Sequence, residues 1–390
     1  MESNASIIKS TNQWFLESGI QNINIREEVD GAFNSWFDIE KEDYYYAYSE
    51  ITGYGITTLI FLDKYFDNLF FMKRANLAAN WIKNVALTDA GGIKTRDYFS
   101  QGPDQENYSF DSGIIYSFDT GMVLNGLINL YRKTENKEYL EMSIKVGDFL
   151  IEHMQKPDGS FYAYYNPLDE FYADIVDKWS TQSGSFHSKI AIGLIDLYKA
   201  TTTEKYKFSA LKVCEYALEQ QESDGRFISF RDSKNTHLHP HSYTVEGLLY
   251  VALKLGIDNY IESCVCATEW ALDNQLESGG ISPLYIRSDN RFSNNERTDV
   301  LAQTLRLGIY LLNIDKLDKS YEPKIEKLYS RLISFQETKG SQKGGFRYGI
   351  DDNSQILNHV NSWCTMFTLQ ALILYGRYMD KKEVGINFLI

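Results

Sequence analysis

Six stretches of this chain start polar and run into an apolar, leucine-rich segment, and such a repeat constrains the fold more than composition does. The clearest copies are SFDTGMVLNGLINLY (117–131), SFHSKIAIGLIDLY (185–198) and HSYTVEGLLYVAL (241–253), which align on Gly126, Gly193 and Gly247. Weaker copies are ITGYGITTLIFLDKY (51–65), TDVLAQTLRLGIYLL (298–312) and WCTMFTLQALILYGRY (363–378). A second amphipathic segment follows each middle copy, as in KEYLEMSIKVGDFLIEHMQ (137–155), with apolar residues at the three- and four-residue intervals of a helix. Each ends at a glycine turn and a short aromatic or β-branched run: AGGIKTRDYF, PDGSFYAYY, SDGRFISF, SGGISPLYI and KGGFRYGI. Glycine supplies the positive φ such turns need.

A helical hairpin alone leaves one apolar face uncovered, so six of them are expected to close into a ring. The fold expected is all-α, an (α/α)6 barrel: a toroid of six helical hairpins with short, glycine-anchored, β-like returns. No Pro/Ser-rich linker or charge block divides the 390 residues, so one domain is expected, with residues 1–44 as a helical lead-in.

A formal net charge of -14 opposes nucleic acid or an anionic membrane as partner. No run of about 18 apolar residues suggests a membrane span, and MESNASIIKSTNQWF lacks the basic start and apolar core of a signal peptide, so a cytoplasmic protein is expected. Cys214, Cys264, Cys266 and Cys364 make no disulfide framework and are expected as buried thiols. The 28 tyrosines and 22 phenylalanines are high for this length, which fits packing between helices or rings that line a sugar-binding groove.

The repeat and the segment FDTGMVLNGLINLYRKTENKEYL resemble the six-hairpin glycosidase superfamily, over roughly residues 45 to 380. That superfamily includes unsaturated glucuronyl and rhamnogalacturonyl hydrolases and the N-acylglucosamine and cellobiose 2-epimerases. NTHLH (235–239) is similar to a histidine segment of the cellobiose 2-epimerases, although there a Glu follows almost at once and here Pro240-His241-Ser242-Tyr243 intervene. QKPDGSF and QESDGRF resemble the Gln-rich turns of terpene-cyclase toroids, but the acidic DxDD motif of those enzymes is absent.

In such a barrel, polar residues at the starts of the inner helices converge on one mouth. Glu50, Asp111, Asp119, His187, His237, His239, His241, Tyr243, Glu246 and Asp299 are candidates there, as are Arg96, Arg297, Arg347, Trp179 and Trp363. Asp119 is either a helix N-cap or, as the resemblance implies, the inner-helix general acid/base. His187 and His241 each precede their repeat glycine by six residues, so they either hydrogen-bond at helix starts or share protons across a pocket. Glu246 shares a helical face with Tyr243 among apolar flanks, which fits a hydrogen-bonded buried Glu or a general acid raised by desolvation. In an extended segment His237, His239 and His241 would face one side, with Pro240 favouring that conformation, and would suit zinc; no metal or cofactor is expected. Arg96, Arg231, Arg297 and Arg347 either form surface ion pairs or hold a substrate carboxylate.

Together these define an expected carbohydrate-active enzyme binding a mono- or oligosaccharide, most simply a hydrolase of an acidic, uronic-type sugar. Asp119, His187, His241 and Glu246 would be catalytic. Tyr243, His239, Trp179, Trp363, Tyr116, Arg297, Asp299 and Arg347 would bind substrate. A 2-epimerase using paired histidines and a non-catalytic saccharide-binding protein of polysaccharide biosynthesis are the alternatives.

Overall fold

The computed structural model describes residues 3–66, 68–98, 113–176 and 178–390; Asp111 lies outside them. Twelve α-helices alternate among the described residues. The first six are α1 (Asn4–Glu17), α2 (Ser49–Tyr65), α3 (Phe70–Trp81), α4 (Ser117–Thr134), α5 (Lys137–Phe149) and α6 (Ile190–Thr201). The rest are α7 (Glu204–Leu218), α8 (Leu238–Leu255), α9 (Asp258–Asp273), α10 (Thr298–Asn313), α11 (Glu322–Ile333) and α12 (Ser362–Met379). Even-numbered helices pack in cyclic order, α12 returning to α2, and form an inner ring. In α2 every residue from Ile51 to Leu62 is buried, whereas α11 buries only Ile325, Leu328 and Leu332. Burial all round marks a core helix, and a single stripe marks a helix covered on one side. The (α/α)6 barrel read from the repeat is the observed fold.

The aligned glycines mark close helix contacts. A Cβ on Gly126 would lie 2.8 Å from the Gly53 carbonyl oxygen of α2, and one on Gly247 2.3 Å from that of Ser188. The returns use glycine differently. Gly225 has φ +96°, and a Cβ there would sit 2.6 Å from the Cys266 carbonyl oxygen of α9. The same close approach recurs at Gly31, Gly91, Gly159, Gly279 and Gly344, so there is a sixth return, at Gly31, beyond the five seen in sequence. Beside five of them a glutamine joins successive outer helices. Gln155 Nε2 donates to Gly159 O and Ser209 O, both at 3.0 Å, and Gln21, Gln221, Gln275 and Gln336 repeat the arrangement. The Gln-bearing turns thus act as staples of the outer wall.

Gly225→Ala is expected to cost about 2 kcal/mol or more, since strain at positive φ adds to a backbone clash. Gly256→Ala, also at positive φ (+73°) but with nothing within 4 Å, isolates the strain and is expected to cost about 1 kcal/mol. Thermal melting of the pair checks this.

Of residues 1–44, expected as a helical lead-in, the described part holds one α-helix and one 3-10 turn, Glu27–Val29, and α1 packs on α12 as an outer helix of the ring. The strand Trp36–Asp38 pairs antiparallel with His359–Asn361 and so joins the two ends of the chain across the closure. Cys214, Cys264 and Cys364 are buried, but Cys266 is exposed, because it lies on the solvent side of the outer helix α9. Among the described residues no helix is long and apolar enough to cross a membrane.

Candidate active site

The inner helices start at one end of the ring, and the returns rise around them to enclose a cavity of about 710 Å³. Glu50 and Asp119, in the first turns of the neighbouring helices α2 and α4, both line it. Asp119 is 3 % exposed, and Thr95 Oγ1 donates a hydrogen bond to its Oδ2. Burial, and then the negative charge of Glu50, push the Asp119 pKa up to about 8, against the pull of Arg96 and of hydrogen bonds from Thr95 and Tyr48. Burial also raises Glu50, while Tyr48, Tyr54, Arg96 and Lys189 oppose the rise. Two carboxyl groups in one cavity, the charge of one discouraging ionisation of the other, are a common source of a proton donor near neutral pH.

Arg96 enters from the strand Arg96–Tyr98, its guanidinium 4.8 Å from the ring centre of Tyr48 and 5.7 Å from that of Tyr116. Arg297, Tyr116, Trp179, Trp363, Tyr243 and His239 also line the cavity, as expected from sequence. Arg297 is committed to Asp299 through contacts of 2.5 and 3.1 Å. Asp299 is sealed behind the wall, where Trp363 Nε1 donates to it at 3.0 Å. Against the effect of burial, Arg297 holds its carboxyl well below the usual range.

Besides Asp299, four expected site residues lie outside the cavity lining. His187 and His241 do occupy equivalent slots, and both are buried behind the returns. His241 Nδ1 accepts from the backbone N–H of Phe227 at 3.1 Å, and its Nε2 contacts Ala267 O at 3.2 Å. His187 Nδ1 accepts from Gly184 N–H at 3.4 Å, and its ring lies against Phe186. Thr52 and Thr365 serve Phe33 and Phe346 as His241 serves Phe227, so in these copies the slot props up a return, whereas His187 bonds a backbone N–H of its own turn. Burial lowers the pKa of His187 to about 3 and of His241 to about 4. Arg347 turns away to pair with Glu337 at 2.6 Å.

Glu246 is fully buried below the cavity, with Lys189 Nζ 2.8 Å from Oε2, Gln303 Nε2 at 3.3 Å, and Arg306 against Oε1. Neither cation is among the sequence candidates, although each is an isolated charge in an apolar run, KIAIGL and LRLG.

The triple histidine does not form an extended ligand set. Only Thr236–His237 is a strand, and α8 begins at Leu238. Pro240 falls in its first turn, where a missing N–H costs no helical hydrogen bond. His237 Nε2 meets Arg297, His239 Nδ1 meets Gln303 Oε1 at 2.7 Å, and His241 points into the wall. Among the described residues no group of three or more His, Cys, Asp or Glu is placed to hold a metal ion. Arg231 is likewise paired, bidentately, with Asp174.

The model of Glycosyl Hydrolase Family 88 matches residues 94–277. No curated protein sequence matches the chain. Among solved structures, cellobiose 2-epimerase from Bacillus thermoamylovorans superposes with a TM-score of 0.74 at 11% identity, over 96% of this chain and 100% of the other. An unsaturated glucuronyl hydrolase specific for heparin gives 0.70 at 13% identity, over 97% and 99%. A Glycosyl hydrolase family 88 protein from Bacteroides vulgatus gives 0.62 at 10%, over 95% and 99%.

The match to a glycosyl hydrolase family model over residues 94–277, together with a fold shared with solved hydrolases and 2-epimerases, supports a carbohydrate-active enzyme, a hydrolase or an epimerase. Which of the two depends on the groups inside the cavity.

Proposed function

We propose that the chain is a glycoside hydrolase acting on an acidic, uronic-type saccharide, with Asp119 as general acid/base. The observation that supports this most is the Glu50–Asp119 pair at the cavity wall, with Asp119 pushed up to about 8. At neutral pH Asp119 holds a proton to donate to the bond being broken. The carboxylate so formed then takes a proton from the incoming water, which restores the acid and closes the cycle. Glu50 keeps that proton in place by its charge. Trp179, Trp363 and Tyr116 offer ring faces to the sugar, and Arg96 and Lys178 offer positive charge in a chain of formal net charge -14.

An epimerase is the second reading, favoured by the cellobiose 2-epimerase superposition and by His239 at the wall. It needs two bases on opposite sides of one carbon. His187 and His241 line no part of the cavity, which leaves His239, lowered by burial to about 4, as its only lining imidazole among the described residues. A non-catalytic groove would lack closely placed titratable groups, and the carboxyl pair does not fit it.

Incubation with acidic and neutral oligosaccharides, read by mass spectrometry, is expected to show cleavage of an acidic member. The basic limb of kcat/KM is expected near pH 8, where Asp119 loses its proton. Glu50→Gln removes the negative charge that favours the protonated form, so that limb is expected to move to lower pH. An unchanged limb would remove Glu50 from the account.

A further inference from the structure

Beneath the cavity the core carries a set of buried polar groups that the hydrolysis scheme leaves unused. Lys189, at the start of α6, is fully buried. Its Nζ lies 4.2 Å from the ring centre of Tyr243 and 5.1 Å from that of Tyr54. The Tyr54 hydroxyl donates to that of Tyr243 at 3.0 Å, so the cation sits under a joined pair of rings. Tyr243 lines the cavity, and Tyr54 belongs to the same helix as Glu50, one turn further on.

From the other side Lys189 is held by the segment after α12. Lys189 Nζ donates to Ile390 O at 2.9 Å as well as to Glu246. Residues 384–390 fill the ring from the end opposite the mouth, with Leu389 and Ile390 buried. Five inner helices grip that segment. Asn125 of α4 donates to Leu389 O at 3.0 Å, Gln370 of α12 to Phe388 O at 2.8 Å, and Asn313 of α10 to Val384 O at 3.3 Å. Lys254 of α8 bonds Asn387, and Lys189 leads into α6. A segment that only covered an apolar hole would not need side-chain donors from each direction, and the buried Lys189 amine, stripped of water, is costly unless its donors are used.

We propose that residues 384–390 form a strut that fixes the cavity floor, and that Lys189 is the positioning residue linking the strut to the Tyr54–Tyr243 pair and so to Glu50. Lys189 touches neither substrate nor Asp119 in this scheme. It acts by holding two rings and by placing a positive charge among the groups that face Glu50, which are Tyr48, Tyr54, Arg96, Asp119 and Tyr243. Its own pKa is lowered by burial to about 8, with Glu246 opposing, so the effect is greatest below that pH.

The activity arm of the test rests on the hydrolase reading, and the exchange arm does not. Lys189→Met is expected to lower kcat at least about tenfold with KM little changed, since misplacement of a catalytic group weakens the chemical step more than binding. It should also move the acid limb of the profile to higher pH, because Glu50 loses a nearby cation, and Lys189→Arg should restore part of kcat. A chain shortened after Glu383 should behave like Lys189→Met, with faster backbone hydrogen exchange at the starts of α2 and α8, which residues 384–390 added as a peptide slow again. A folded Lys189→Met protein with normal kcat and pH profile, or a shortened chain with unaltered exchange at those helix starts, overturns the proposal. If no saccharide is cleaved by the unmodified protein, the hydrolase reading fails and the exchange measurement still decides the strut.

Discussion

Asp119→Asn is expected to lower kcat/KM on a cleaved saccharide by about 10²–10⁴-fold, the range for loss of a positioned general acid/base. The fold should survive, because Asn keeps the size of the side chain and still accepts the hydrogen bond from Thr95. Stability gives an independent sign. The folded protein holds the Asp119 proton up to about pH 8, whereas an unfolded aspartate, with a pKa of 3.8, releases it far sooner. Folding therefore takes up a proton between those values, and the contribution of this group to stability is present at low pH and lost as pH rises through about 8. Asn has no such term. The variant should melt at or above the temperature of the parent near pH 9 and lose that advantage in acid. Loss of activity with gain of alkaline stability is the pattern of a site that gives up stability for function.

Glu246→Ala is expected to do the opposite. It should destabilise by about 3–5 kcal/mol, because removing one member of a buried ion cluster strands the others. Lys189 and Arg306 would lose their shared carboxylate where neither is exposed to water. Chemical denaturation near pH 9 should show a large fall in midpoint for Glu246→Ala and none for Asp119→Asn. A catalytic Glu246 would give the reverse, a stable but inactive protein.

The sequence carried the ring because the ring is a periodic object. Each inner helix needs a glycine where its neighbour's backbone passes, as at Gly126 and Gly247, and each return needs one where the chain reverses. It carried nine of the twenty residues that line the cavity, Asp119 among them, because the first turns of the inner helices and the returns before them meet at the mouth. That rule also contained an unused signal. Glu50, already a candidate at the mouth, shares the second position of its helix with His239 and Trp363 of the cavity lining, which sets it beside them although the sequence reading gives it no catalytic part.

The same periodicity misled for His187 and His241. A shared slot identifies a shared structural task, here a ring nitrogen accepting a backbone N–H, as readily as a shared chemical one. The apolar flanks of Glu246 announced its burial correctly but could not name its partners, which lie 57 and 60 residues away in opposite directions. Partner choice at that separation is set by ring closure, not by local pattern. Pro240 shows the local limit: it disfavours helix for the preceding residue in general, yet it is accommodated in a first turn.

The central claim is that Asp119, held protonated in the cavity, drives hydrolysis, and product mass in parallel digests by the parent and Asp119→Asn proteins tests it most directly. The expected result is fragments of an acidic oligosaccharide whose summed mass exceeds the substrate by one water with the parent protein, and none over the same period with the variant. An unchanged substrate mass with an altered NMR spectrum, produced equally by both proteins, would contradict it and establish an epimerase in which Asp119 has only a structural part.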